Sequence, residues 1–309
     1  WLKSILRIIA FWDLVMRKGR WRRSGSNSYS TPSPFLGTPL IFGPEDPEAA
    51  VIFLHGHAED PENGWPDRFA ALRQAHPRWL WVHLRAPVLP QTCDGGYPCQ
   101  AWGNYLENVC TVPGIPDYDN PDEEGWYAAS VNGVHECIQS LGSKQGLTAE
   151  CIAIFGFSQG AAVALESALT YSTDEKNGLA GCIGFCGWLP PKARAKLASL
   201  PKDGSGSCLP PVLLLHGTAD PWVGFRCSTL AEVHLRSAGV PVTFERFKGL
   251  DHGHTWPIDV YKDTIDSFLS KVLSPKANES VEPALSSPTE LAQPGDDVVD
   301  GPDKETEEH

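Results

Sequence analysis

The sequence predicts an α/β fold: a single domain with a mostly parallel, doubly wound sheet and helices on both faces. Five short segments carry the strand signal. They are residues 50–54 (Ala-Val-Ile-Phe-Leu), 79–83 (Trp-Leu-Trp-Val-His), 152–155 (Ile-Ala-Ile-Phe), 182–185 (Cys-Ile-Gly-Phe) and 212–215 (Val-Leu-Leu-Leu). Nearly continuous apolar runs of this length suit strands buried on both faces, because both side-chain directions then meet packed helices. Helical spacing supplies the second signal, in Val131, Val134, Ile138 and Leu141, and again in Ile258, Tyr261, Ile265, Phe268 and Val272. Strand and helix patterns alternate over about 240 residues, which argues for one domain. Ligands on such a sheet bind beyond the carboxyl ends of the strands.

The two ends differ from this body. Residues 1–16 hold eleven large apolar residues, and Trp1, Ile5, Ile8, Ile9, Trp12, Val15 and Met16 share one helical face opposite Lys3, Arg7, Asp13 and Arg17. That is the pattern of a basic amphipathic helix lying in a membrane interface. Equally, it is the pattern of a targeting remnant. Charges at positions 3, 7 and 13 rule out a bilayer span. Residues 24–34 are rich in Ser, Gly and Pro and read as a linker. From residue 274 the chain is rich in Pro, Ser, Asp and Glu and poor in aromatics, so disorder is expected. The expected organisation is therefore an N-terminal segment and linker (1–34), a catalytic domain (35–273) and an acidic tail (274–309).

The formal charge of −13 conceals a head of +6 over residues 1–23 and a tail of −8 over residues 276–309, leaving −11 between them. An acidic body without a basic stripe excludes nucleic acid as a main partner, since phosphate neutralisation needs clustered Lys and Arg. Nine cysteines, an odd count with no Cys-x-x-Cys, suggest reduced thiols in a cytoplasmic protein rather than a disulfide framework or a structural zinc site. A Cys93–Cys99 loop bridge is the one exception the spacing allows.

The chemistry sits after the strands. Residues 152–160 run from an apolar strand directly into Gly156-Phe-Ser158-Gln-Gly160, and Ala-rich helical sequence follows. A nucleophile elbow needs this arrangement: the glycines let strand and helix approach, and the serine hydroxyl is lifted over the sheet at a helix N-terminus. A serine needs a histidine base and an acid to orient it, in the chain order Ser, acid, His. Asp220 follows the apolar run 212–215, and His252 follows the strand-like segment 242–247. Asp251 is the rival acid and His254 the rival base. The oxyanion needs two backbone N–H donors. Gln159 supplies one, and His57, in the loop after residues 50–54, supplies the other. A competing reading treats His55 and His57 as metal ligands of a hydrolase, with His252 and His254 completing the set. A non-catalytic acyl-lipid binding protein is the non-enzyme alternative.

At the level of ordered motifs the chain resembles the acyl-protein thioesterase and lysophospholipase (phospholipase/carboxylesterase) family of the α/β-hydrolases. The likeness rests on Leu54-His-Gly56 with Gly64-Trp65, Arg85-Ala-Pro87, Ala101-Trp102, the elbow, Gly187-Trp-Leu-Pro190, His216-Gly-x-x-Asp220-Pro221 and Gly249-Leu-x-His252. It implies a Ser158–His252–Asp220 triad, an oxyanion hole from the His57 and Gln159 backbones, and no cofactor or metal. It also implies that Trp102 and Trp188 border the acyl site. The implied substrates are S-palmitoylated proteins or lysophospholipids; peripheral membrane contact through residues 1–23 is expected from their amphipathic pattern alone. Two departures bear on specificity. Where the family carries His-Gly-Leu-Gly-Asp, this chain reads His55-Gly-His-Ala-Glu59, and residues 91–125 form a longer insertion placed where a lid over the substrate could form.

Overall fold

The computed structural model describes residues 35–106, 122–171, 178–200 and 209–274. The N-terminal segment, the tail beyond Ser274 and residues 107–121 of the insertion lie outside the described residues.

Nine strands are described: β1 (Gly37–Phe42), β2 (Ala49–Leu54), β3 (Trp79–Arg85), β4 (Val88–Gln91), β5 (Tyr97–Gln100), β6 (Ile152–Phe157), β7 (Gly181–Phe185), β8 (Val212–Gly217) and β9 (Val242–Phe247). Seven form one sheet in the order β1-β3-β2-β6-β7-β8-β9, while β4 and β5 make a separate antiparallel hairpin. Only β1 runs antiparallel to its neighbour in the large sheet; every other pairing is parallel. The predicted mostly parallel sheet is present.

Strand alternation sorts the core into two layers. Ala50, Ile52 and Leu54 of β2, with Ile152 and Ile154 of β6 and Val212 and Leu214 of β8, face helices α3 (Trp126–Gln145), α4 (Gln159–Thr170), α5 (Pro191–Ala198) and α6 (Phe225–Ser237). Val51, Phe53, Phe155 and Leu213 face the other way, onto α1 (Trp65–Arg68), α2 (Ala70–Ala75) and α7 (Lys262–Leu273). Both faces of the central strands are thus dry, which is why β2, β6 and β7 are apolar throughout. The second layer is aromatic: the Phe53 ring lies 4.8 Å from Trp65, 5.0 Å from Phe69 and 5.3 Å from Phe155. Fully burying one such side chain stabilises by about 1.5–3 kcal/mol.

The last helix corrects the sequence reading. It begins at Lys262, and Ile258 sits in a separate 3₁₀ turn, Ile258–Val260. Tyr261, Ile265, Leu269 and Leu273 form its buried ladder, while Phe268 and Val272 are only partly covered. A strict spacing of four keeps those four residues in line, so the predicted face is rotated toward solvent at its C-terminal end.

From β2 the chain winds outward to β3, then returns to place β6 on the other side of β2. This is the switch point of the sheet, and the loops after β2 and β6 lie side by side there.

Candidate active site

Ser158 occupies the single residue between β6 and α4, with φ 55° and ψ −121°. L-residues rarely adopt such angles, and holding one there costs about 1–3 kcal/mol. The Ser158 N–H donates to the Phe185 carbonyl at 2.8 Å, which ties the elbow to β7. The flanking glycines are required by close approach: a Cβ on Gly156 would strike the Gly160 carbonyl, and one on Gly160 would strike the carbonyls of Leu54 and His55.

Asp220 and His252 come from the loops after β8 and β9. Those loops are stitched together by Thr218 N–H to Phe247 O at 3.0 Å and Ala219 N–H to Leu250 O at 2.9 Å. His252 Nδ1 lies 2.6 Å from Asp220 Oδ2, and the His252 ring packs 4.8 Å from that of Phe157, the residue before Ser158. The structure therefore joins His252 to Asp220 and sets the imidazole against Phe157, the residue that precedes Ser158. Asp220 Oδ1 accepts the Trp222 and Val223 N–H groups at 2.9 and 3.0 Å, and His216 Nε2 lies 3.2 Å from Oδ2. Burial opposes ionisation of this carboxyl, but the hydrogen bonds from His216 and His252 outweigh it and hold Asp220 below the usual carboxylate range. An acid fixed as carboxylate, with both oxygens engaged, orients one imidazole tautomer. Asp251 is turned elsewhere: its Oδ1 accepts from Thr255 Oγ1 at 2.8 Å and Trp256 Nε1 at 3.1 Å. The side chain of His254 lies outside the described residues.

His57 and Gln159 sit at the ends of β2 and β6, and among the described residues neither main-chain N–H has a hydrogen-bond partner. A frame of buried bonds holds these two loops. Trp102 is the link: its Nε1–H donates to His55 O at 2.7 Å, and its N–H donates to Gln159 Oε1 at 2.9 Å. Gln159 Nε2–H donates to Gly103 O at 3.1 Å, and Ser130 Oγ donates to Trp102 O at 2.6 Å. Glu59 closes the loop from the far side, its Oε2 accepting from Gly56 N–H at 2.8 Å and Trp65 Nε1–H at 2.9 Å. Burial raises the Glu59 carboxyl, with both N–H donors pulling it back. Trp188, the other tryptophan implied to border an acyl chain, packs in a small cluster with Tyr105, Ala162, Val223 and Cys227 beside the elbow. Trp102 itself is wholly buried.

The metal alternative fails on geometry. His55 is buried, its Nδ1 lies 2.7 Å from Gly56 O, and its Nε2 accepts the Ala86 N–H at 3.1 Å. Desolvation pushes its pKa down to about 4, so it stays neutral with both nitrogens engaged. His57 turns away from it, toward Gln91 Oε1 at 3.3 Å. The two imidazoles diverge and share no ion. Cys186, His216 and Asp220 also approach one another, with ligand atoms within 4.8 Å. They are sealed, however: His216 Nδ1 is 2.6 Å from Ser228 Oγ and its Nε2 is 2.8 Å from Val223 O. Cys93 and Cys99 are free thiols, so the loop disulfide is not formed.

Sequence reasoning missed His216, Glu59, Ser130 and the donor role of Trp102. A histidine ending the apolar strand β8 was the one available signal for His216, because a polar ring at 0% exposure requires partners. Apart from the Glu59–Gly56 bond, the other three act through contacts 6 to 57 residues apart in sequence, which spacing does not reveal.

Three comparisons with known proteins bear on this geometry. The profile of the phospholipase/carboxylesterase family matches residues 37–272. The chain is 31% identical over 228 residues to acyl-protein thioesterase 1 homolog 1 of Dictyostelium discoideum, covering 73% of this chain and 91% of that protein. It is 28% identical over 205 residues to carboxylesterase SOBER1 of Arabidopsis thaliana, covering 65% and 82% respectively. The crystal structure of SOBER1 superimposes with a TM-score of 0.60 at 26% identity, covering 73% of this chain and 99% of that one.

Proposed function

The chain belongs to the phospholipase/carboxylesterase family of α/β-hydrolases, and from that premise we propose that Ser158, His252 and Asp220 hydrolyse acyl thioesters of S-acylated proteins, with carboxyl esters as the accompanying substrate class. The observation that carries this reading is the 2.6 Å His252–Asp220 bond set beside a serine held at φ 55°.

In this mechanism His252 Nε2 takes the Ser158 proton as Oγ attacks the acyl carbon. The carbonyl electrons move onto oxygen, which accepts the His57 and Gln159 N–H groups. The C–S or C–O bond then breaks, and His252 returns its proton to the leaving thiolate or alkoxide. Water, deprotonated by the same imidazole, attacks the acyl-enzyme, and the proton finally returns to Ser158. Asp220 remains ionised throughout and stabilises the imidazolium. Loss of a single oxyanion donor in comparable sites costs about 10²–10³ in rate.

An S-acylated protein is the favoured substrate because the similarity to a relative named an acyl-protein thioesterase runs over 91% of that protein. The site also binds a neutral acyl chain, which an acidic body does not repel. A cytoplasmic location belongs to the same reading and rests on nine cysteines, an odd count with no Cys-x-x-Cys. Among the described residues no helix is long and apolar enough to cross a membrane, and membrane contact is assigned to residues 1–23. Residues 35–273 form the catalytic domain between that segment and the tail. Initial rates on a palmitoyl-thioester peptide and on lysophosphatidylcholine, measured at equal concentration, test the assignment. The thioester is expected to turn over faster; equal or faster release from the lysophospholipid would make the protein a lipid esterase.

A further inference from the structure

The departure at His57 puts an imidazole where the family carries an apolar residue, and the structure surrounds it with metal-binding atoms. Asp94 and Cys99 lie on the β4–β5 hairpin, Asp94 in the 3₁₀ turn Thr92–Asp94 and Cys99 in β5. One donor atom from each of His57, Asp94 and Cys99 falls within 4.8 Å of the other two. Cys99 Sγ is 3.5 Å from His57 Nε2. For a tetrahedral zinc with Zn–N about 2.0–2.1 Å and Zn–S about 2.3 Å, the N···S edge is about 3.6 Å. That spacing is already made.

We propose that His57, Asp94 and Cys99 form a binding site for one zinc-like divalent cation, and that its occupation suppresses hydrolysis at Ser158. The donor set of one imidazole, one thiolate and one carboxylate is that of a borderline-soft ion rather than of magnesium or calcium. Asp94 is exposed while His57 and Cys99 are half-buried, so the site has an open side through which an ion can enter. The scaffold is fixed: Ala58 N–H donates to Gln100 O at 2.8 Å, Cys93 N–H to Tyr105 O at 2.8 Å and Gly96 N–H to Gln91 O at 2.8 Å. Binding exchanges protons for the ion. Cys99 gives up its thiol proton to solvent, and the His57 ring must leave Nε2 bare by carrying its proton on Nδ1. The contact given up, His57 Nε2 to Gln91 Oε1, is long at 3.3 Å.

The link to turnover rests on the proposed role of the His57 N–H as an oxyanion donor. An ion bonded to the His57 ring restrains the loop whose N–H must close on the developing oxyanion, and holding a catalytic group about 1 Å from its productive position costs about 10² in rate.

Cobalt(II) and zinc(II) titrations of the full-length chain, kept reduced with a non-chelating phosphine, test both parts. The expected result is one cobalt per chain with a thiolate-to-cobalt charge-transfer band that is absent in Cys99→Ser. Zinc affinity should fall at least about tenfold in Asp94→Asn, an exposed substitution that keeps the test readable if Cys99→Ser does not fold. Both variants should retain ester hydrolysis without metal and resist zinc inhibition. A cobalt band that persists in Cys99→Ser, or none in the parent chain, overturns the site. A band without zinc inhibition overturns the coupling. Because the band needs no substrate, a chain that bound cobalt but lacked hydrolysis would sink the proposed activity and leave the site standing.

Discussion

Trp102→Phe isolates the frame that aligns the two oxyanion loops. The substitution keeps an aromatic ring in the core but removes the Nε1–H that donates to His55 O at 2.7 Å. Trp102 is 0% exposed, so water cannot replace the lost donor and the His55 carbonyl is stranded. A stranded buried carbonyl costs about 1–3 kcal/mol, and the space left by the pyrrole ring adds about 1 kcal/mol. For a domain of this size a loss of about 2–3 kcal/mol lowers the melting temperature by about 5–10 °C. The catalytic effect follows from position: His55 O sits two residues before the His57 donor, and the Trp102 N–H, which survives the substitution, still holds Gln159. One oxyanion donor should therefore loosen while the other stays in place. The expected result is a fall in kcat of at least about tenfold with KM little changed, read from steady-state hydrolysis of a short-chain p-nitrophenyl ester below the melting transition. A variant with lowered melting temperature and unchanged kcat would show instead that the indole bond stabilises the fold without positioning the loop.

Three further outcomes are expected. Asp220→Asn keeps the shape of the site but removes the carboxylate that fixes the His252 tautomer, so kcat should fall by about 10³–10⁴ in the same ester assay; a loss below tenfold would make another group the orienting acid. Ser158→Gly relieves a φ of 55° that Ser158→Ala retains, so the inactive glycine variant should unfold at a higher urea midpoint, by about 1–2 kcal/mol; equal midpoints would mean the elbow is unstrained. Glu166, buried on α4, has its carboxyl pushed up to about 7 by desolvation, with Lys192 opposing and Asp122 reinforcing the shift. A raised carboxyl contributes stability that is fully present below its unfolded value of 4.5 and lost as pH rises through 7, so Glu166→Gln should gain on the parent chain between pH 5 and pH 8, by at most about 3 kcal/mol. Parallel urea curves at the two pH values would contradict that.

The central parallel strands were legible because burial on both faces leaves β2, β6 and β7 without a polar side chain and buried at every position. The hairpin was not. Val88 and Tyr97 are 65% exposed and β4 and β5 each contain a proline, so neither alternation nor apolarity marks them. In the site, Ser158, Asp220 and His252 could be placed because each follows a strand whose end the sequence announces. His55 misled, since an imidazole beside Gly56 reads as a ligand until its two nitrogens are found on Gly56 O and the Ala86 N–H. Its partner lies 31 residues away, beyond the reach of any local pattern.

Hydrolysis by this site requires that Ser158 carry the acyl group. Rapid-quench mass spectrometry of the chain mixed with a palmitoyl thioester reads this directly. One palmitoyl adduct is expected on the peptide containing Ser158, formed faster than it decays and missing from Ser158→Ala along with all turnover. An adduct on another residue, or hydrolysis that survives in Ser158→Ala, would contradict it.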